Sequence, residues 1–83
     1  MIQQEIIDIV NRSLAEEFEL ETENMKPEAH LYKDLGLDSL DAVDMVIVLE
    51  NAFGRKLRDE KAILKIQTLG DLYAFIEESR RNY

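Results

Sequence analysis

Residues 3–19 repeat apolar positions at helical spacing. Ile6, Ile7, Val10, Leu14 and Phe18 fall three or four apart, while Glu5, Asp8, Arg12, Glu16 and Glu19 lie off that face. Such a stripe predicts an amphipathic helix with one side in a core. The pattern fails from Leu20 to Asp38. Pro27 disfavours helix for Lys26, and Asn24, His30 and Gly36 add turn character. A connection of roughly twenty residues is long for a compact domain and needs buried anchors or a function of its own. Met25, Leu31, Leu35 and Leu37 are the expected anchors. His30, the sole histidine, has no second ligand type in register and reads as a surface residue.

Residues 39–53 predict a second helix. The run Met45-Val46-Ile47-Val48-Leu49 would suit a buried strand, but no turn signal interrupts Leu40 to Gly54, and the segment is too long for a typical strand. Gly54 stands where a glycine cap ends a helix. At 100° per residue, Ala42, Met45, Val46, Leu49, Ala52 and Phe53 share a core-facing arc. The opposite arc carries Asp41, Asp44, Glu50 and Asn51, but also Leu40, Val43 and Ile47. Apolar residues interleaved with carboxylates form either a docking ridge or the seat of a further element.

A short helix is expected over residues 59–66, with Asp59 and Glu60 in its first turn and Ala62, Ile63 and Ile66 inward. Thr68 and Asp71 then have capping-box spacing. The helix they open runs to about Arg80, burying Leu69, Leu72, Tyr73 and Ile76 beside Phe75, with Arg80 and Arg81 complementing its C-terminal dipole. The expected fold class is all-α: an irregular four-helix bundle of three main helices and one short one, with a long loop between the first two. Residues 1–83 read as a single domain, expected to be a monomer.

Composition narrows the function. The chain has 83 residues, 18 acidic against 10 basic, and a net charge of −8. Residues 1–54 hold 13 acids and 3 bases, so the acidic surface belongs to the first two thirds. That argues against nucleic acid, which needs a basic stripe, and favours basic protein partners. There is no cysteine, hence no disulfide or thiolate metal site. The N-terminus has no signal-peptide pattern and no apolar run approaches a membrane span. A cytoplasmic protein without stable membrane insertion is expected.

The candidate chemistry lies in Asp34-Leu35-Gly36-Leu37-Asp38-Ser39-Leu40-Asp41. Ser39 is a good helix cap, but so is Asp38, and Asp38 with Asp41 has the spacing of a reciprocal cap. If Asp38 caps, Ser39 becomes the first helical residue, with its hydroxyl free. A nucleophilic serine would need a base, a group orienting that base and oxyanion donors. None can be assembled here, and the surrounding aspartates oppose developing negative charge. A calcium loop fails too, because Gly36, Ser39 and Met45 fall where a ligand, a glycine and a glutamate belong. What remains is a serine that another enzyme modifies.

At these residues the sequence resembles the acyl carrier proteins, whose attachment motif the stretch from Asp34 to Leu40 matches; the resemblance extends over nearly the whole chain. It implies a non-catalytic carrier with 4′-phosphopantetheine on Ser39, placed there from coenzyme A by a magnesium-dependent phosphopantetheinyl transferase. It also implies that Asp38 and Leu40 belong to the modification motif. Acyl groups would travel as thioesters on the arm's thiol. Leu40, Asp41, Val43, Asp44, Ile47 and Glu50 would meet acyl-transferring and chain-elongating enzymes of fatty-acid or related lipid or polyketide biosynthesis, through basic docking patches. Arg55, Lys56, Arg58, Lys61 and Lys65 make the following stretch basic where fatty-acid carriers are usually acidic. Ordinary fatty-acid enzymes and a dedicated pathway's own set both stay open as partners. A carrier of aminoacyl or D-alanyl groups would share the serine, and a small acidic adaptor without a prosthetic group would share only the ridge.

Overall fold

The computed structural model describes residues 4–54, 57 and 65–81. Its helices are α1, Gln4–Phe18; α2, Ser39–Phe53; and α3, Leu69–Arg81, with a 3-10 turn at Thr22–Asn24. No strand occurs among the described residues, and the fold is all-α. The expected short helix over 59–66 lies almost wholly outside the described residues, as do the side chains of Arg80 and Arg81.

Burial follows the apolar periodicity. Ile6, Val10 and Leu14 of α1, Met45 and Leu49 of α2, and Leu69, Leu72, Tyr73 and Ile76 of α3 form one core. In that core α1 packs against both other helices. Ala42, Val46 and Phe53 are half-buried at its margin, whereas Ala52, expected on the core face, is exposed. Ala52 stands in the last turn of α2, where the arc drawn from ideal periodicity outruns the covered surface.

Three helix ends have a local cause. Glu19 takes a left-handed φ of 55°, and Leu20 N–H donates to Ala15 C=O at 3.1 Å. This is a Schellman closure of α1 built without glycine. Gly54, at φ 69°, closes α2 in the same conformation. The start of α3 is a reciprocal cap: Asp71 N–H donates to Thr68 Oγ1 at 3.1 Å, and Thr68 N–H to Asp71 Oδ2 at 3.2 Å. The cap satisfies backbone donors that a helix start leaves unpaired.

The loop before α2 is held by burial and pairing together. Met25, Leu31 and Leu37 are buried as expected, Leu35 is half-buried, and Ala29 is an additional buried anchor. His30 and Thr68 form an isolated antiparallel bridge. Around it Leu31 N–H donates to Gln67 C=O at 2.8 Å, Leu69 N–H to Ala29 C=O at 3.1 Å, and Gly70 N–H to Pro27 C=O at 2.8 Å. The loop is thereby fastened to the start of α3. A Cβ at Gly70 would stand 3.1 Å from the Pro27 oxygen, so this approach needs a small residue.

Candidate functional site

The loop delivers the chain to α2 through a closed turn. Asp34 N–H and Leu35 N–H both donate to His30 C=O, at 2.9 and 3.1 Å, and Leu37 N–H returns to Leu31 C=O at 3.0 Å. Gly36 reverses the chain at φ 72°, a conformation costly for residues with a Cβ. His30 is half-buried rather than a plain surface residue. Its Nδ1 accepts from Tyr32 N–H and Lys33 N–H, each at 3.2 Å.

From that turn α2 begins at Ser39 with Asp38 as its cap. Asp41 N–H donates to Asp38 Oδ1 at 2.9 Å, and Asp38 N–H to Asp41 Oδ2 at 3.2 Å. The first helical bond, from Ala42 N–H to Asp38 C=O, is 3.0 Å. With the capping position taken, exposed Ser39 is the first residue of the helix. Its hydroxyl makes no hydrogen bond among the described residues.

Behind Ser39, the face opposite the core is open. Leu40 is 74% exposed, Val43 59% and Ile47 51%, and with Tyr32 they are the exposed large apolar side chains among the described residues. No described element covers them. Asp44 is exposed on the same side of α2, and Asp41 is half-buried in the cap. Glu50 stands apart. It is half-buried, and its Oε2 accepts from Leu57 N–H at 2.9 Å, so this carboxylate is used inside the fold. No local sequence signal announces that bond, because Leu57 lies beyond the end of the helix.

Among the described residues no group of His, Asp or Glu is gathered that could hold a metal ion. No described helix is long and apolar enough to cross a membrane. Away from Ser39 a part-buried polar pair joins two helices: the Tyr73 hydroxyl of α3 donates to Asn11 Oδ1 of α1. Burial pushes the Tyr73 phenol above its ordinary value of 10.0, while the Asn11 bond pulls the other way.

A family model described as "Phosphopantetheine attachment site" matches residues 8–76. The match takes in most of α1, the loop, the whole of α2 and the first part of α3. The chain belongs to this family, a domain to which 4′-phosphopantetheine is attached covalently, and the protein is a phosphopantetheine-carrying carrier.

Proposed function

We propose that Ser39 is the attachment residue and that the protein carries acyl groups, as thioesters, among the enzymes of fatty-acid or related lipid or polyketide biosynthesis. The observation that carries this reading is the division of labour between neighbours. Asp38 and Asp41 satisfy each other's backbone, which leaves the Ser39 hydroxyl exposed and unbonded among the described residues. A bulky phosphodiester there displaces no internal hydrogen bond. It also sits at the positive end of the α2 dipole.

In the attachment step a transferase's base takes the Ser39 proton. Ser39 Oγ then bonds to the coenzyme A phosphorus that bears the pantetheine, and adenosine 3′,5′-bisphosphate leaves from that phosphorus. The bound arm supplies a thiol for thioester formation, a group this cysteine-free chain lacks. The protein's own part is to present, orient and release; the catalytic groups belong to its partners. Leu40, Val43 and Ile47 offer an apolar ridge for shallow pockets, and Asp44 offers charge to basic side chains. Exposed ion pairs contribute about 0–1 kcal/mol each, which suits a complex that must dissociate after each transfer.

Intact-protein mass spectrometry after incubation with coenzyme A and a promiscuous phosphopantetheinyl transferase tests the reading. One arm is expected on the wild type and none on Ser39→Ala. A folded wild type of unchanged mass would sink it. Acyl species recovered on the arm from cells distinguish acyl from aminoacyl cargo.

A further inference from the structure

We propose that His30 is a positioning residue for the modification of Ser39, acting through the turn that leads into α2; this rests on Ser39 being the attachment residue. His30 is joined to its surroundings at every polar atom for which a contact is described. Its N–H donates to Asp34 Oδ2 at 2.7 Å. Its C=O accepts from Asp34 and Leu35, and its Nδ1 accepts from Tyr32 and Lys33. Asp34 returns the contact by side chain and by backbone. The turn is closed from both ends.

This closure fixes a register. Leu31 and Leu37 are both buried, and Leu37 N–H bonds to Leu31 C=O at 3.0 Å. The five residues between them must therefore form one compact loop, which Gly36 completes at φ 72°. Asp38 and Ser39 follow Leu37 directly. Without the Nδ1 acceptor, Tyr32 and Lys33 N–H lose their partner inside the fold, and the turn loses two of the bonds that hold its shape. Docking by the ridge of α2 persists, but Ser39 Oγ spends less time aligned for transfer. The effect belongs on kcat rather than on KM.

Two substitutions separate the acceptor from the ring. His30→Asn places an amide oxygen the same number of bonds from the backbone as Nδ1. His30→Leu keeps similar bulk with no acceptor. The His30 ring also lies against Tyr32, with centroids 5.7 Å apart and planes tilted by 56°, so a role for the ring itself would give the opposite order.

Initial rates of arm transfer, measured over a range of apo-protein concentrations with a promiscuous transferase and coenzyme A, read both constants. The expected result for His30→Leu is a kcat lower by roughly five- to tenfold with KM within about twofold, and for His30→Asn a kcat within about twofold of wild type. Equal kcat for wild type and His30→Leu overturns the proposal, as does equal loss in both variants. If His30→Leu does not fold, His30→Asn decides by itself. Slow hydrogen exchange at Tyr32 and Lys33 with near-wild-type kcat supports the role, and a low kcat overturns it. A wild type that takes up no arm at Ser39 overturns instead the reading beneath it.

Discussion

Glu50 accepts the backbone N–H of Leu57 at 2.9 Å, although its place on α2 groups it with the carboxylates of the acidic face. Leu57 is itself buried, so the bond ties the end of α2 to the core beyond it. Asp44, six residues earlier on the same helix, is exposed. The two acids therefore answer charge reversal differently. Asp44→Lys is expected to leave thermal stability within about 0.5 kcal/mol of wild type while slowing transfer by a partner enzyme. Glu50→Lys removes an acceptor from a half-buried N–H and is expected to cost about 1–3 kcal/mol. Thermal melts beside partner turnover check the pair; equal melting temperatures would show that the Leu57 bond contributes nothing.

The reciprocal cap can be tested apart from the chemistry it frees. Asp38→Ala removes the side-chain acceptor for Asp41 N–H and is expected to cost about 1 kcal/mol. In a domain this small that corresponds to a melting temperature lower by about 4–8 °C. Asp38→Asn keeps an acceptor oxygen and should recover most of the loss. If Asp38→Ala melts with the wild type, the Ser39 hydroxyl has taken over the cap, and its rate of modification should fall accordingly.

Much of this was legible because it is local. The Asp38-to-Asp41 and Thr68-to-Asp71 spacings announced their caps, Gly54 its helix end, and the periodicities of Ile6 to Leu14 and Leu69 to Ile76 their core faces. The arc shared by Leu40, Val43 and Ile47 was legible too, but whether a further element covers it was not, and the structure leaves them exposed. The rest depends on partners distant in sequence or on bonds without a composition signature. Nothing near Asn11 points to Tyr73, and nothing near Pro27 points to Gly70. Ala29 is too small to stand out as an anchor. His30 lacks metal-ligand companions and reads from the sequence as a surface residue, whereas its ring nitrogen serves two backbone amides.

Tyr73 gives the fold a defined alkaline limit. Its phenol is neutral and buried, with its ionisation raised above 10.0 chiefly by burial. Once pH exceeds the ordinary value, the unfolded chain loses this proton while the folded chain keeps it. The unfolded state then binds fewer protons, so stability falls as pH rises. The contribution is complete below pH 10.0 and is lost as pH climbs from there through the raised folded value. Tyr73→Phe removes both the titration and the bond to Asn11. It is expected to be less stable at neutral pH by about 0.5–1.5 kcal/mol, and to lose less on going to high pH. Parallel pH–melt curves for the two proteins would show that Tyr73 does not set the alkaline slope.

Glu19 and Gly36 share a left-handed backbone, at φ 55° and 72°, but only Gly36 is a residue suited to it. A Cβ at Gly36 would meet nothing within 4 Å, so substitution there is a purely conformational change. Gly36→Ala is expected to cost about 1 kcal/mol from backbone strain, and Gly36→Asn less, since asparagine tolerates this region. At Glu19 the sign reverses. The side chain is exposed, and glycine there would relieve a strain of about 1–2 kcal/mol while adding roughly 0.5–1 kcal/mol of unfolded-chain entropy to be lost on folding. Glu19→Gly is therefore expected to stabilise the domain slightly, by up to about 1.5 kcal/mol. Because Gly36 lies in the turn that feeds Ser39 and Glu19 closes α1, only the Gly36 variants should also slow arm transfer. Denaturant unfolding of all three variants alongside transfer rates checks both halves: a destabilising Glu19→Gly would mean that Glu19 holds its conformation without strain.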